Sequence, residues 1–257
     1  MIGFSFDLTG RVALVTGASS GLGRRFATIL AASGAKVVIG ARRAELLDTL
    51  AQEIADNGGK ALPLAMDVTD EASIIAAYDE AAARFGPVDT VIANAGLNVA
   101  GSSLGLEADA FDRIVAVNLR GVFLTAREGA RRMVAAGSQD REHGRITIIS
   151  SITAHQPGAG IAPYSATKAA VAQMGRSLAK DWARKGINVN VLCPGYISTE
   201  MNETLWDQPA GQGLLASFPR KRVMDSDALD AMILYFSSDS SRNLTGSVMT
   251  IDDGQTL

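Results

Sequence analysis

The chain has 257 residues, of which 47% are hydrophobic and 20% charged, a composition typical of a globular α/β domain with one well-buried core. Its formal net charge of −3 at pH 7 gives no reason to expect a nucleic-acid partner. No apolar run approaches the ~20 residues of a membrane span, and the N-terminus lacks a signal-peptide pattern. A single cysteine, Cys193, excludes an internal disulfide and fits a reducing compartment. We therefore expect a cytoplasmic protein with no membrane partner, folded as one domain over residues 1–257.

The first segments in the chain predict a phosphate-binding turn. Val12 to Val15 has the composition of a short buried strand, and the glycine-rich run Thr16 to Gly23 follows it. An amphipathic stretch that ends near Gly34 comes next. A helix N-terminus offers free N–H groups and a positive dipole end, and glycines let the backbone approach an anion closely. The alternative is a helix start whose glycines serve only packing.

The end of the second strand bears on the choice of cofactor. Lys36 to Gly40 is predicted as a strand, and Arg42 and Arg43 follow it. Dinucleotide-binding folds often place an acid there for the adenosine ribose, whereas a basic side chain accommodates a 2′-phosphate. Both arginines could instead be solvated, although the dipole at a helix start disfavours cations. The pattern therefore favours NADP(H) over NAD(H).

The next unit repeats the alternation of helix and strand. The spacing of apolar residues predicts a helix over Ala44 to Asn57 and a strand over Ala61 to Met66. Asp67 follows that strand and could bond the adenine amino group or be an ordinary loop carboxylate. Thr69 or Asp70 is expected to cap the following helix.

A fourth strand, Val88 to Ala93, ends at Asn94-Ala95-Gly96. Five βα units of this kind imply a parallel, doubly wound sheet of about seven strands, with helices on both faces. Ligands of such sheets bind outside the carboxyl ends of the strands. The candidate residues fall at those ends, which favours one common site: the glycine-rich turn, Arg42, Asp67, Asn94 and Ser151.

A hydroxyl, a phenol and an ammonium follow the fifth strand. Ile146 to Ile149 is a buried apolar run that leads into Ser151, and the Gly/Pro-rich stretch Gln156 to Pro163 then turns the chain. A helix is predicted to begin near Pro163. Tyr164 and Lys168 are four residues apart, so they share one face of that helix.

These three groups suit proton transfer to and from an alcohol oxygen. A tyrosine with a pKa of about 10 is a poor base at neutral pH, but a nearby ammonium favours the phenolate and lowers that value. The Ser151 hydroxyl can hold a substrate oxygen against the phenol. Carbonyl reduction needs an acid at that oxygen, and alcohol oxidation needs a base. The alternative is a surface Tyr/Lys pair at a helix start.

The C-terminal third predicts the rest of the sheet and a cover for the site. Val189 to Cys193 is a buried strand, and Met201 to Phe218 carries apolar side chains that could contact a substrate or serve packing. Arg220 to Arg222 is expected to be a solvated run, with contact to an anionic substrate tail as the alternative. Leu229 to Phe236 is predicted as a helix, and Val248 to Ile251 as the last strand.

The chain resembles the short-chain dehydrogenase/reductase family over nearly its whole length. Two departures are small: Ala93 replaces an asparagine often seen there, and Ser20 stands where some NADP-dependent members have a basic residue. The matching motifs are the TGxxxGxG of Thr16 to Gly23, the NAG of Asn94 to Gly96, the helix Asn118, the trio Ser151, Tyr164 and Lys168, and Pro194-Gly195 with Thr199 after it.

The resemblance implies a role for each matching residue. Tyr164 would be the general acid/base, Lys168 would lower its pKa and bind the nicotinamide ribose, Ser151 would orient the substrate oxygen, and Asn118 would hold a water that connects Lys168 to solvent. The implied catalytic set is thus Asn118, Ser151, Tyr164 and Lys168. The cofactor-binding set implied by resemblance and position is Gly17, Ser19, Ser20, Gly21, Leu22, Gly23, Arg42, Arg43, Asp67, Val68, Asn94, Ala95, Gly96, Tyr164, Lys168, Pro194, Gly195, Ile197 and Thr199.

The resulting hypothesis is an NADP(H)-dependent oxidoreductase that interconverts a ketone and a secondary alcohol, with a substrate lid at about residues 196–222. The family resemblance suggests 3-oxoacyl thioesters or small hydrophobic carbonyl compounds as substrates. Glu142 replaces a basic residue of carrier-protein reductases, which disfavours a carrier-protein partner. No metal is expected, because His143 and His155 lack ligand spacing.

The alternative is a catalytically silent NADP(H)-binding sensor or scaffold. The resemblance also implies a homotetramer formed through the helices at Leu119 to Ala136 and Ala169 to Trp182.

Overall fold

A computed structural model of the chain describes residues 6–198 and 206–257. In this part of the chain, seven parallel strands form one sheet in the order β3-β2-β1-β4-β5-β6-β7. The predicted fold class is therefore confirmed. The strands are β1 Val12–Thr16, β2 Lys36–Ala41, β3 Lys60–Ala65, β4 Thr90–Ala93, β5 Gly144–Ile149, β6 Ile187–Pro194 and β7 Val248–Ile251.

The strand sequences are apolar because both faces of the sheet are covered. Every residue of β1, β4 and β5 is buried, whereas the edge strands β3 and β7 have exposed positions. The predicted strands match the observed ones to within two residues at each end. The largest differences are at the starts of β5 and β6, each two residues earlier than the apolar runs indicate, and of β4, two residues later.

Helices pack in two layers around this sheet. One layer contains α1, α2 and α9, whose buried side chains share a core with β1 and β2. The other contains α3, α5 and α7. The helices are α1 Gly21–Ala32, α2 Ala44–Asp56, α3 Glu71–Phe85, α4 Ala108–Val115, α5 Val122–Ala135, α6 Ser138–Arg141, α7 Ala162–Trp182, α8 Pro209–Ser217 and α9 Asp230–Ser237. No helix in the described ranges is long and apolar enough to cross a lipid bilayer.

Asp70 caps α3, which decides between the two predicted capping residues: its carboxylate accepts a hydrogen bond from the Ala72 N–H at 2.9 Å. The carboxylate also lies at the positive end of the helix dipole, which adds to the stabilisation.

The strand order places a crevice above β1. The chain winds outward from β1 through β2 to β3 and then returns to β4 on the other side of β1. Because the two halves wind in opposite directions from this point, the loops that follow β1 and β4 diverge and leave a crevice at the carboxyl ends of the strands. The candidate residues lie on the loops around that crevice.

A π-helical turn, Ala116–Gly121, joins α4 and α5. No sequence pattern predicted this turn; Asn118 lies in it and is fully buried. Turns of this kind are rare and often occur at functional sites. Here the turn lies opposite α7.

Candidate active site

The glycine-rich turn after β1 is shaped by close backbone contacts. Gly17 and Gly21 have φ values of +69° and +51°, which favour glycine. A Cβ on Gly23 would overlap the Gly17 carbonyl group, so α1 can approach the turn only with glycine there. No acidic residue occupies the first turn of α1, and Ser20 at its N-cap makes no side-chain capping bond. The backbone N–H groups at this helix start are thus suited to hold an anion, as a dinucleotide pyrophosphate would require.

The loop after β4 is tied to the end of β1. Thr16 Oγ1 accepts hydrogen bonds from the backbone N–H groups of Asn94 and Ala95, both at 3.0 Å. The Asn94 amide in turn donates to the Thr16 carbonyl oxygen at 2.9 Å. The Asn94 side chain therefore fixes one loop to the other, and the two loops form a single wall of the crevice.

The two arginines after β2 point to different partners. Arg43 donates hydrogen bonds to Ser19 Oγ and Ser20 Oγ, each at 2.9 Å, so its guanidinium lies against the glycine-rich turn. Arg42 is exposed, and its charge contributes to a lowered pKa of Asp67. Of the two arginines, Arg43 is the one whose guanidinium contacts the glycine-rich turn.

Asp67 lies beyond β3 and is partly committed to its own turn. Its Oδ1 accepts from the Thr69 N–H at 2.9 Å and from Thr69 Oγ1 at 2.8 Å. These bonds are the main cause of its lowered pKa, so the carboxylate is charged at neutral pH. Val68 beside it is buried against Gly121, so this turn packs on the π-helical turn.

Ser151 and Tyr164 meet at the carboxyl end of β5. Ser151 accepts a hydrogen bond from the Thr153 N–H at 3.2 Å, which fixes the turn that follows the strand. Tyr164 is the third residue of α7, and its phenol lies near enough to the Ser151 hydroxyl for that group to lower its pKa. Strand end and helix start therefore bring together two groups that are 13 residues apart in sequence, as predicted.

The pKa of Tyr164 differs from the sequence expectation. Burial raises it most, the Ser151 hydroxyl lowers it, and Tyr196 raises it further. Lys168 was expected to lower this pKa, but its ammonium, with Nζ 5.5 Å from the centre of the Tyr164 ring, has no part in the shift. The expectation of a lowered pKa is therefore wrong, because the desolvation of the phenol outweighs the effect of Ser151.

Lys168 is buried at the end of β5. Its Nζ donates to the Ile149 carbonyl oxygen at 2.9 Å, and its exposed fraction is 4%. Burial lowers its pKa to about 8, although the neighbouring Cys193 opposes the shift. At pH 7 this lysine is still mainly protonated, but it loses its proton more readily than an exposed lysine and can therefore take part in proton exchange.

Asn118 links the π-helical turn to the loop after β4. Its Oδ1 accepts from the Leu97 N–H and its Nδ2 donates to the Leu97 carbonyl oxygen, both at 2.8 Å. A Cβ on Gly96 would lie 3.5 Å from Lys168 Nζ and 3.6 Å from Asn118 Oδ1. Asn118 and Lys168 thus flank Gly96 on the same side, which brings the predicted amide and ammonium into one neighbourhood.

The loop after β6 is fixed by the C-terminal segment. The Gly195 N–H donates to the Ile251 carbonyl oxygen at 2.9 Å, and a Cβ on Gly195 would overlap Gln255 Oε1. Pro194 ends β6, and Ile197, 3% exposed, forms a bridge with Met224. Thr199 lies outside the described residues, as does Leu205 of the predicted lid.

Sequence reasoning missed an aromatic cluster made of Tyr196, Trp206 and Phe218. The centre of the Tyr196 ring lies 5.6 Å from each of the other two, edge-on to Trp206 and stacked on Phe218. Phe218 is 3% exposed, as the packing alternative predicts. The one available signal was the position of Tyr196 between Pro194-Gly195 and Ile197, since that loop was already assigned to the site.

The basic residues after α8 are exposed to solvent but form ion pairs. The side chains of Arg220 and Arg222 are 64% and 62% exposed. Both pair with Asp253, at 3.0 Å and 2.7 Å. The expected solvated run therefore attaches the segment after α8 to the C-terminal segment.

The doubly wound sheet, the glycine-rich turn and the Ser/Tyr/Lys group together define an oxidoreductase that acts on CH–OH and C=O groups. The sequence pattern of the short chain dehydrogenase family matches residues 11–210. The chain is 39% identical to cis-4-hydroxycyclohexanecarboxylate dehydrogenase of Sinomonas cyclohexanicum, with 96% of each chain covered. It is 35% identical to 3-oxoacyl-[acyl-carrier-protein] reductase of Escherichia coli K12, over 96% of this chain and 98% of that one.

A solved structure extends the comparison to three dimensions. Gluconate 5-dehydrogenase from Burkholderia cenocepacia J2315, in complex with NADP and tartrate, is 38% identical and has a TM-score of 0.91, with 98% of this chain and 97% of that chain covered. The chain belongs to the short-chain dehydrogenase/reductase family. The alternative of a catalytically silent protein is not supported, because these relatives are named as dehydrogenases and reductases and all four implied catalytic side chains are present.

We predict that Lys168→Met stabilises the protein. Burial lowers the pKa of Lys168 from 10.5 to about 8, so keeping its charge destabilises the folded state at neutral pH by ~3 kcal/mol, against ~1 kcal/mol from the bond to Ile149. The variant should gain about 2 kcal/mol in the free energy of unfolding at pH 7. Between pH 8 and 10.5 the unfolded wild type binds more protons, so wild-type stability should rise with pH and the gain should shrink.

Urea denaturation at pH 7 and pH 9.5 measures this difference. Lys180→Met, on the exposed face of the same helix, is the matched control and should change stability little at either pH. A Lys168→Met variant that is less stable than wild type at pH 7 would contradict the assignment.

Proposed function

We propose that the protein is an NADP(H)-dependent oxidoreductase that interconverts a ketone and a secondary alcohol. The observation that carries this proposal is the meeting of Ser151, Tyr164 and Lys168 at the sheet edge beside the glycine-rich turn. The cradle fits a dinucleotide, because Gly17, Gly21 and Gly23 leave the backbone of the turn open to an anion. A bound nicotinamide would supply or accept the hydride at the carbonyl carbon.

In the proposed mechanism, the protein moves the proton. Ser151 holds the substrate oxygen through its hydroxyl, and Tyr164 donates its phenolic proton to that oxygen in reduction or accepts one in oxidation. The raised pKa of Tyr164 keeps the phenol protonated, which suits its role as an acid. Lys168, whose Nζ lies 5.5 Å from the centre of the Tyr164 ring, would return a proton from solvent through a water held by Asn118.

Preference for NADP(H) rests on the position of Arg43. Its guanidinium lies at the two serines of the glycine-rich turn, and no carboxylate follows β2 directly. The planar guanidinium makes bidentate, charge-assisted bonds to phosphate oxygens. NADP in the solved gluconate 5-dehydrogenase supports the same preference.

The substrate proposals remain those of the sequence, 3-oxoacyl-type compounds or small hydrophobic carbonyl compounds, and the relatives add hydroxycarboxylates and sugar acids. Trp206 and the half-buried Leu214 and Leu215 support an apolar part of the substrate beneath the lid at about 196–222. Glu142 still argues against a carrier protein. We place the enzyme in the cytoplasm, on the single cysteine.

We predict a homotetramer. Phe111 on α4 and Phe123 and Val134 on α5 are 46%, 36% and 40% exposed, which indicates an apolar face that a second copy would cover. Light scattering should give four times the 26.8 kDa of one chain, and Phe123→Glu should lower that mass. Leu104→Glu, on an exposed loop, is the control. A wild-type mass near one chain at micromolar concentration would contradict the proposal.

We predict that Tyr164→Phe lowers turnover by about 10²- to 10⁴-fold, the range for a positioned acid or base. The ring and its packing stay, so the dissociation constant for NADPH should hardly change. Stopped-flow turnover and fluorescence titration separate the two effects, and Tyr235→Phe on α9 is the control. Near-normal turnover in Tyr164→Phe would refute the mechanism.

We predict that Arg43→Ala weakens NADPH about 10- to 150-fold, because it removes charge-assisted bonds worth roughly 1.5–3 kcal/mol. NADH lacks the 2′-phosphate and should be affected little. Arg42→Ala, with its guanidinium near Asp67, should have the smaller effect. The Michaelis constants for both cofactors in both single variants and the double variant test this. Equal losses for NADPH and NADH in the double variant would make NAD the better assignment.

A further inference from the structure

Tyr196 lies at the sheet edge that carries the reacting groups. In the pairing of β5 with β6, Ile149 lies opposite Leu192, so the residues after each strand emerge side by side. Ser151 follows one strand and Tyr196 the other. The Tyr196 ring is half-buried between Trp206 and Phe218, and the electrostatic effect of its phenol raises the pKa of Tyr164.

The backbone of Tyr196 is held on both sides by one side chain. Gln255 Oε1 accepts from the Tyr196 N–H at 2.6 Å, and Gln255 Nε2 donates to the Tyr196 carbonyl oxygen at 3.1 Å. Gln255 belongs to a turn that Asp252 closes, since the Asp252 carboxylate accepts from the N–H of Thr256 at 3.0 Å. The amide therefore fixes the position from which the Tyr196 ring projects.

The Tyr196 hydroxyl has no hydrogen-bond partner among residues 6–198 and 206–257, and burial raises its pKa. The indole N–H of Trp206, edge-on to the same ring, is also buried without a partner in these ranges. An unpaired buried N–H is costly, and the Tyr196 hydroxyl, open to solvent, is free to bind a ligand group. A substrate with a polar substituent close to its reacting carbon would satisfy them.

We propose that Tyr196 is a specificity-determining residue whose hydroxyl binds a hydroxyl group on the carbon next to the reacting carbon, and that Gln255 is the positioning residue that holds it there. The proposal rests on the proposed function and narrows its substrate class to α-hydroxy ketones and vicinal diols. A substrate without that hydroxyl would leave Tyr196 unpaired, and buried polar groups left unpaired are the strongest basis for discrimination between similar substrates.

The test uses pairs of substrates that differ by one hydroxyl group: 3-hydroxybutan-2-one against butanone, and 2-hydroxycyclohexanone against cyclohexanone. The kcat/KM of each is measured with NADPH and with NADH, and the corresponding diols and alcohols are oxidised in the reverse direction. Wild type should prefer the hydroxylated member of each pair. Tyr196→Phe keeps the ring packing against Trp206 and Phe218 and removes only the hydroxyl.

Tyr196→Phe should lower the ratio of kcat/KM within each pair, hydroxylated over unsubstituted, by roughly 5- to 100-fold, the range for one buried hydrogen bond. An effect that passes through the pKa of Tyr164 is common to both members of a pair and cancels in this ratio. Tyr235→Phe on α9 is the matched control and should leave both unchanged. Equal losses for both members of a pair, or no loss for either, would overturn the proposal.

Gln255 is tested in a double-mutant cycle. Gln255→Leu removes both bonds to the Tyr196 backbone and should reduce the preference for the hydroxylated substrate. In the Tyr196→Phe background it should change that preference no further, because its effect passes through the hydroxyl. An equal effect in both backgrounds would show that Gln255 acts on stability alone and would remove it from the proposal.

The outcomes separate this inference from the proposed function. If wild type turns over no pair with either cofactor in either direction, the proposed function fails and this inference fails with it. If wild type reduces the ketones but shows no preference that depends on Tyr196, the proposed function stands and this inference alone is overturned.

Discussion

The site depends on one buried ammonium held by a strand-end carbonyl. The Lys168 side chain, on α7, is buried and donates a hydrogen bond to the carbonyl oxygen of Ile149, the last residue of β5. This bond fixes the helix that carries Tyr164 against the strand that leads to Ser151. Burial of a charge is unfavourable, and one hydrogen bond offsets only part of that cost, so the fold retains a destabilising group where the chemistry needs one. The lowered pKa of Lys168 is the direct result of that burial.

The loops around the crevice are held by hydrogen bonds between side chains and backbone. In each, a side-chain amide or hydroxyl pairs with the backbone of a distant loop: Asn94 with Thr16, Asn118 with Leu97, and Gln255 with Tyr196. An amide presents one donor and one acceptor, so it can satisfy an N–H and a C=O of the same residue. These bonds satisfy N–H and C=O groups of the loops, as strand pairing does in the sheet, and so fix the loop conformation. Three loops from three strands are held rigid without secondary structure of their own.

Some side chains of the site are hydrogen-bonded within the protein, and others are available to a ligand. The Asn118 and Gln255 amides use both a donor and the acceptor on backbone, whereas the Tyr196 hydroxyl and the Trp206 indole have no hydrogen-bond partner in the described parts of the chain. These two polar groups are therefore available to a ligand.

The sequence by itself determined the order of strands and helices, and the residues that follow each strand. These follow from local patterns: apolar runs make buried strands, and Ser151, Tyr164 and Lys168 lie at spacings that a strand end and a helix start convert directly into proximity. Only the tertiary structure decided the raised pKa of Tyr164, the preference of the glycine-rich turn for Arg43 over Arg42, the π-helical turn at Asn118, and the hold of Gln255 on Tyr196. Each of these depends on burial or on contacts between segments far apart in the chain, and no local pattern encodes which of two neighbouring side chains will find such a partner.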